Sequence, residues 1–122
     1  MTNGQRILAV ASAAEAATGL GLVAVPSLIV GLLLGVEPMG IAIVLSRVAG
    51  IALMALAIAC WPEPAARGSA RAYMAMLLYN ALVAFTLAKV GIDGETAGVL
   101  LWPVAFLHLA LSVLLGWAWS KR

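Results

Sequence analysis

Four strongly polar residues interrupt apolar segments of the chain, and they are the places where chemistry would be expected. They are Glu15, Arg47, Asn80 and His108. A carboxylate, a guanidinium, an amide and an imidazole can together form ion pairs, carry protons or bind the polar head of a lipophilic molecule. One histidine and one carboxylate beside an arginine make a poor cation cage, so we expect no metal site and no cofactor.

The composition indicates that these residues lie inside a membrane. The chain has 122 residues, of which 65% are hydrophobic and 10% charged, and its mean hydropathy is +1.12. In a soluble domain about a quarter of the residues are charged and cover the surface, so we expect a lipid bilayer to be the solvent of this chain. The length predicts a single domain, 1–122. The basic residues stand at the ends of apolar segments rather than in one patch, which argues against a nucleic-acid partner.

Four segments are apolar enough to cross a bilayer, for which a helix needs about 20 residues. Between the first two of them, Ser27 to Gly35 is apolar but too short to cross. Pro26 removes a helix donor just before it, so we expect a separate short interfacial helix there. The predicted fold class is therefore all-α, a bundle of four transmembrane helices with a short interfacial helix after the first span. The predicted spans are about 7–25, 40–61, 71–90 and 98–119.

Loop charges predict the orientation of the bundle. One side carries only acidic loop residues, Glu37, Asp93 and Glu95, with Lys89 at a span end. By the positive-inside rule, the other side, which holds both termini, faces the cytoplasm. The basic residues on that side are Arg6, Arg67, Arg71, Lys121 and Arg122.

Depth along the helices brings the four polar residues into one layer. At about 1.5 Å per residue, Glu15 and Asn80 lie roughly 14 Å from the side that holds the termini, and His108 also lies near mid-bilayer. Arg47 lies somewhat nearer the other face, and its long side chain covers the difference. An ionised residue at the bilayer centre costs on the order of 2.5–3.5 kcal/mol. We therefore predict a Glu15–Arg47 ion pair inside the bundle, completed by hydrogen bonds from Asn80 and His108.

Helical phase adds neighbours to this polar layer. Small residues such as Gly19 and Gly50 are expected to leave room there for a side-chain network or a ligand. Two interpretations stay open, a layer that only fixes helix order and register, and a layer that binds a ligand or a proton. Further polar side chains expected around the layer are Ser12, Thr18, Tyr73, Tyr79 and Ser112.

Small residues recur every four positions on the first span, on the face opposite Glu15. Such a row lets helices approach closely. It predicts either packing inside the bundle or contact with a second subunit or a membrane partner. The row consists of Ala9, Ala13, Ala17 and Gly21.

Four segments carry a family resemblance that covers most of the chain: PSLIVGLLLG, LSRVAGIALMALAIACW, LLYNALVAF and LLWPVAFLHLALSVLL. They resemble the DoxX-like small bacterial four-helix membrane proteins and their uncharacterised relatives. The resemblance implies a four-helix bundle in the bacterial inner membrane and a loose association with redox or thiol-stress systems. Cys60 is the only cysteine, so the chain has no CxxC pair for thiol chemistry.

A lone glutamate midway along the first of four spans is also similar to the small multidrug-resistance transporters. Ala14-Glu15-Ala16 stands at the comparable place. A cation exchanger needs that carboxylate free, and the predicted pairing with Arg47 argues against this resemblance.

From these observations we expect a binding or accessory protein of the inner membrane whose polar layer takes a lipophilic ligand, rather than an enzyme. The first alternative is a small proton-coupled transporter with Glu15 as the proton carrier. The lesser alternative is a membrane enzyme that acts on a lipid-like substrate, with Glu15 or His108 as acid or base. The enzyme ranks last because the sequence offers no nucleophile motif, no second free carboxylate and no metal motif.

Overall fold

The computed structural model describes residues 1–63 and 69–122, and every element in these ranges is an α-helix. Four of the helices are long and apolar enough to cross a membrane, and the fifth is the short helix that begins at Pro26. The predicted fold class is thus confirmed. Arg67 falls outside the described residues. The helices are α1 (Asn3–Ala24), α2 (Pro26–Leu34), α3 (Ile41–Cys60), α4 (Ala70–Asp93) and α5 (Leu101–Ser120).

Local sequence sets where the helices begin and end. At the start of α1, the Thr2 side chain accepts the N–H of Gln5, and the Gln5 side chain accepts the N–H of Thr2. Pro26 is the first residue of α2, a position whose N–H has no partner inside the helix, so proline loses no hydrogen bond there. Gly35 and Gly94 end α2 and α4 with φ values of 68° and 73°, a left-handed conformation that suits glycine.

The bundle is built from two closely packed helix pairs. α1 packs mainly on α3, and α4 packs mainly on α5, while α1 and α5 make the largest contact between the two pairs. This arrangement places α1 against α3 on one side and against α4 and α5 on another.

Two glycines let α1 and α3 approach each other closely. A Cβ added to Gly19 would lie 2.6 Å from the carbonyl oxygen of Gly50, and a Cβ added to Gly50 would lie 2.5 Å from that of Gly19. Neither position accepts a side chain unless the helices move apart. The expectation that these glycines leave room for a ligand is therefore wrong, because each fills the space beside the other.

A cluster of buried apolar side chains lies at the end of the bundle that carries both termini, which we call the termini end. Leu8, Met76 and Leu115 are fully buried there. Tyr73 belongs to this core, and the guanidinium of Arg122 lies 5.0 Å from the centre of its ring.

At the opposite end, α2 is tied to the start of α5. The N–H of Gly98 donates to the carbonyl of Leu33 at 3.0 Å, and the N–H of Leu100 donates to that of Leu32 at 2.9 Å. These bonds supply partners for carbonyls in the last turn of α2, which have none inside the helix.

Candidate functional site

A buried group of polar side chains lies where α1, α4 and α5 meet. We call it the polar cluster and define it as Ser12, Glu15, Tyr79, Asn80 and His108. Ser12 and Glu15 share one face of α1, and with Asn80 and His108 they are 0–8% exposed. Tyr79 is half-buried beside them. The structure therefore brings together three of the four polar residues that depth alone had placed in one layer.

The orientation of His108 is fixed by Asn80. Asn80 Nδ2 donates to the carbonyl oxygen of Met76 at 2.8 Å, which turns its amide oxygen toward the imidazole. His108 Nδ1 lies 2.7 Å from that oxygen. An amide oxygen only accepts hydrogen bonds, so Nδ1 of His108 must carry the hydrogen. In a neutral imidazole this leaves Nε2 as an acceptor.

Glu15 faces this pair from α1. Its Oε1 lies 3.7 Å from His108 Nδ1, within ion-pair range but too far for a hydrogen bond. Tyr79 meets the imidazole edge to face, with the ring centres 5.8 Å apart and the planes at 74°. Its hydroxyl lies within interaction range of the Glu15 carboxyl, although no hydrogen-bond geometry is reached. Glu15 is thus surrounded by polar groups without being bonded to any of them.

Three buried polar atoms of the cluster have no hydrogen-bond partner among residues 1–63 and 69–122. They are the Oγ of Ser12 and both carboxyl oxygens of Glu15. Unpaired polar atoms are uncommon in protein interiors, and each costs about 1–3 kcal/mol. The cluster therefore has acceptor capacity that the described part of the chain does not use.

The predicted Glu15–Arg47 ion pair is wrong. Arg47 lies on the exposed surface of α3, and within the described ranges no carboxylate pairs with it. The buried face of α3 is formed by Gly50, Leu53 and Ala57, together with Cys60. At 3.6 residues per turn, Arg47 lies about 100° round the helix from the middle of that face. The partner that the structure gives Glu15 is His108.

The other polar residues expected around the layer lie at its margin or away from it. Thr18 Oγ1 donates to the carbonyl of Ala14, and Ser112 Oγ donates to that of His108, so both hydroxyls bond to their own helix. Tyr73 is buried in the apolar core of the termini end, two turns from Asn80.

A shallow groove that sequence reasoning missed lies between α1 and α5, with a volume of about 180 Å³. Apart from Arg6, its lining side chains are apolar. Leu111 follows His108 by about one helical turn, so the groove lies on the termini side of the polar cluster. The groove is formed by side chains of both helices, so it could be found only once the packing of α1 against α5 was known. The lining residues are Arg6, Ile7, Val10, Leu111 and Leu114.

The row of small residues on α1 is partly used inside the molecule. Gly21 packs on Ile29 of α2, where an added Cβ would come within 3.0 Å of that side chain. Ala13 and Ala17 are exposed on the surface of the bundle, and Ala9 is half-buried.

Within the described ranges, no group of three or more His, Cys, Asp and Glu side chains is placed to hold a metal ion. Cys60 is a buried free thiol. No protein-family model, no curated protein and no solved structure matches the chain.

Proposed function

We propose that this multi-pass membrane protein is a binding or accessory protein whose polar cluster holds the head of a lipophilic ligand. The observation that carries the proposal is the set of three unpaired buried atoms, Ser12 Oγ and the two carboxyl oxygens of Glu15. The Asn80–His108 hydrogen bond already links α4 to α5 without using Glu15 or Ser12. The unused hydrogen-bonding capacity of Glu15 and Ser12 is therefore better explained by a ligand than by helix packing alone.

The hydrogen-bond acceptors that the cluster leaves unused define the chemical class of the ligand. The Glu15 carboxylate oxygens accept hydrogen bonds, and so does Nε2 of neutral His108. The head that fits is one that donates, such as an amine or a hydroxyl. Its tail must be apolar, because the ligand reaches the cluster through lipid. The α1–α5 groove, whose lining residue Leu111 lies about one helical turn from His108, is a place where that tail can bind.

Native mass spectrometry of the purified protein in detergent tests this assignment with two probes of equal chain length, hexadecylamine and methyl palmitate. The amine donates hydrogen bonds and the ester only accepts them. We expect the protein to retain the amine and not the ester. We expect Glu15→Gln to weaken amine binding about tenfold or more, the effect of losing a hydrogen bond to a charged group.

Glu95→Gln is the matched control, because it makes the same chemical change at an exposed loop residue and should leave amine binding unchanged. Ser12→Ala provides a second variant in case Glu15→Gln unfolds, and thermal unfolding shows whether each variant is folded. If wild type and Glu15→Gln bind both probes equally, the polar cluster is not the binding site.

A proton-coupled transporter that uses Glu15 is the alternative, and one observation favours it. The sequence argument against it was that Arg47 would neutralise the carboxylate, yet Arg47 lies on the surface of α3. In proteoliposomes with a pH-sensitive dye inside, a transporter would release protons when an amine is added, and Glu15→Gln would abolish the signal. A binding protein would give no signal in either form.

We also propose a bacterial inner-membrane location with both termini in the cytoplasm. The support is the charge of the two ends: Arg6, Arg71, Lys121 and Arg122 at the termini end, and Glu37, Asp93 and Glu95 at the other. The DoxX-like relationship is proposed on the resembling segments alone. Labelling of single introduced cysteines near residues 2 and 95 with a membrane-impermeant thiol reagent on intact cells tests the orientation. Only the site near residue 95 should react.

A further inference from the structure

The groove between α1 and α5 changes in character along its length. Its walls are formed by apolar side chains of both helices, and Arg6 lies at the end nearest the termini. Arg6 belongs to the first turns of α1, so its guanidinium lies close to the level where this span leaves the membrane. The groove therefore presents a cation at the membrane boundary and apolar surface deeper in the bilayer.

The charge of Arg6 is not used by the bundle. Arg6 is exposed, and within residues 1–63 and 69–122 no carboxylate pairs with it. Arg122 differs, because its guanidinium lies over the ring of Tyr73. Glu63 approaches this end of α1 through its backbone, since its carbonyl oxygen accepts a hydrogen bond from Gln5 Nε2 at 3.0 Å. The guanidinium of Arg6 is therefore available to an anion from outside the described part of the chain.

The end of α5 adds donors on the other side of the groove. Trp117 and Lys121 follow Leu114 by about one and two turns, so they continue the groove-lining side of α5 toward the termini end. Both side chains are exposed. An indole N–H and an ammonium group both donate hydrogen bonds, and tryptophan is suited to the level of lipid headgroups. Both helices therefore offer donors for an anion where the groove meets the membrane boundary.

The size of the groove indicates what fits into it. Its volume of about 180 Å³ is below the 300–1,000 Å³ of pockets that enclose a whole small ligand. A helix with its side chains is about 10–12 Å across, too wide to enter such a groove. A single alkyl chain is narrow enough, and the rest of its molecule can remain in the bilayer.

We propose that the groove binds an anionic phospholipid. The phosphate lies at Arg6 and Lys121, and one acyl chain lies between α1 and α5. A phospholipid of the leaflet at the termini end already has this orientation, with its head at the boundary and its chains pointing inward. Basic sites between transmembrane helices recognise anionic lipid heads by the same pairing of charges. The phospholipid occupies the groove when no ligand tail lies there, so the two compete for it.

Native mass spectrometry of the protein in detergent tests the proposal with two phospholipids of identical chains, dioleoyl phosphatidylglycerol and dioleoyl phosphatidylcholine. Only the first has a net negative head, and we expect the protein to retain it at lower lipid concentration. Arg6→Gln should weaken phosphatidylglycerol binding about fivefold, the effect of one basic residue near an anionic head. A wild-type protein that binds both lipids equally would overturn the proposal.

Arg71→Gln is the matched control for the charge. Arg71 is exposed in the first turn of α4, at the same end of the bundle, but it does not line the groove. We expect this variant to bind phosphatidylglycerol as wild type does. Equal losses in Arg6→Gln and Arg71→Gln would contradict the site, because binding would then follow the total charge of the termini end.

A second pair of variants tests where the acyl chain lies. Val10→Trp fills the groove with a bulky side chain, and we expect it to lose phosphatidylglycerol binding. Val113→Trp makes the same change at an exposed residue of α5 outside the groove and should retain the lipid. Unchanged binding in Val10→Trp would show that the lipid does not lie between α1 and α5.

The phospholipid proposal and the ligand proposal fail separately. Glu15→Gln should leave phosphatidylglycerol binding unchanged, and Arg6→Gln should leave hexadecylamine binding unchanged, because the two residues contact different heads. A protein that retains the amine but shows no preference for phosphatidylglycerol would overturn the phospholipid site and leave the ligand site standing.

Discussion

Glu15 and Gly19 lie one turn apart on the same face of α1, yet their surroundings are opposite in character. Around Gly19 the backbones of α1 and α3 touch so closely that no Cβ fits. Around Glu15 three polar atoms are enclosed without a hydrogen-bond partner among the described residues. Close backbone packing at Gly19 sets the position of α1. That position then determines which helices Glu15 faces. The glycine contact therefore holds α1 in place, and the polar cluster is left free for chemistry.

The glycine contact should be the most sensitive point of the bundle. Gly50→Ala places a Cβ against the backbone of Gly19, and we expect it to lower the free energy of unfolding by about 3 kcal/mol, the upper range for overpacking. Unfolding by heat or SDS, followed by circular dichroism, measures the change. Gly116→Ala is the control, since a Cβ there meets only Leu77 at 4.0 Å, and it should be neutral or slightly stabilising. Equal effects of the two substitutions would refute close contact between α1 and α3.

The Asn80–His108 hydrogen bond should be the most stabilising part of the polar cluster. Asn80→Leu leaves the His108 Nδ1–H without its partner, so we expect a loss of about 2 kcal/mol in unfolding free energy. The same unfolding measurement applies. Thr86→Val serves as the reference, because the Thr86 hydroxyl is exposed and bonds only to its own helix, and it should change stability by less than about 0.5 kcal/mol. A harmless Asn80→Leu would show that the bond does not hold His108.

Glu15 itself should contribute little to stability, in contrast to both contacts above. In double-mutant cycles, we expect Glu15→Gln and His108→Gln to be coupled by about 1 kcal/mol, because the two groups are 3.7 Å apart. We expect Glu15→Gln and Arg47→Gln to be additive within about 0.5 kcal/mol, as for residues without contact. Strong coupling to Arg47 would restore the ion pair that the structure excludes.

Much of the architecture could be predicted because the signals were local. The apolar lengths, Pro26 and the charged loops locate the four spans and the short helix between the first two. The depth of Glu15, Asn80 and His108 follows from the rise per residue, which needs no knowledge of neighbouring helices.

The sequence could not predict which face of each helix turns toward the interior of the bundle. For this reason Arg47 was expected inside the bundle, although it lies on the surface of α3. In a soluble bundle, polar residues mark the outer face of a helix, but in a membrane the core side and the lipid side are both apolar. The rotation of α3 about its axis is set by the fit of Gly50 against Gly19, a contact between distant parts of the chain. Small residues on two helices do not show in the sequence which of them will meet.

The hydrogen bonds from Gly98 and Leu100 to the end of α2 have a consequence for the order of events during synthesis. The chain is made from its N-terminus at about 5–20 residues per second, so Leu32 and Leu33 emerge on the order of seconds before the residues that bond to them. Until then the last carbonyls of α2 can bond only to water at the membrane boundary. We expect a ribosome-bound chain that ends before Gly98 to leave α2 open to protease, and release of a few more residues to protect it. Residues just before α5, which are made later, thus hold in place a segment that was made earlier.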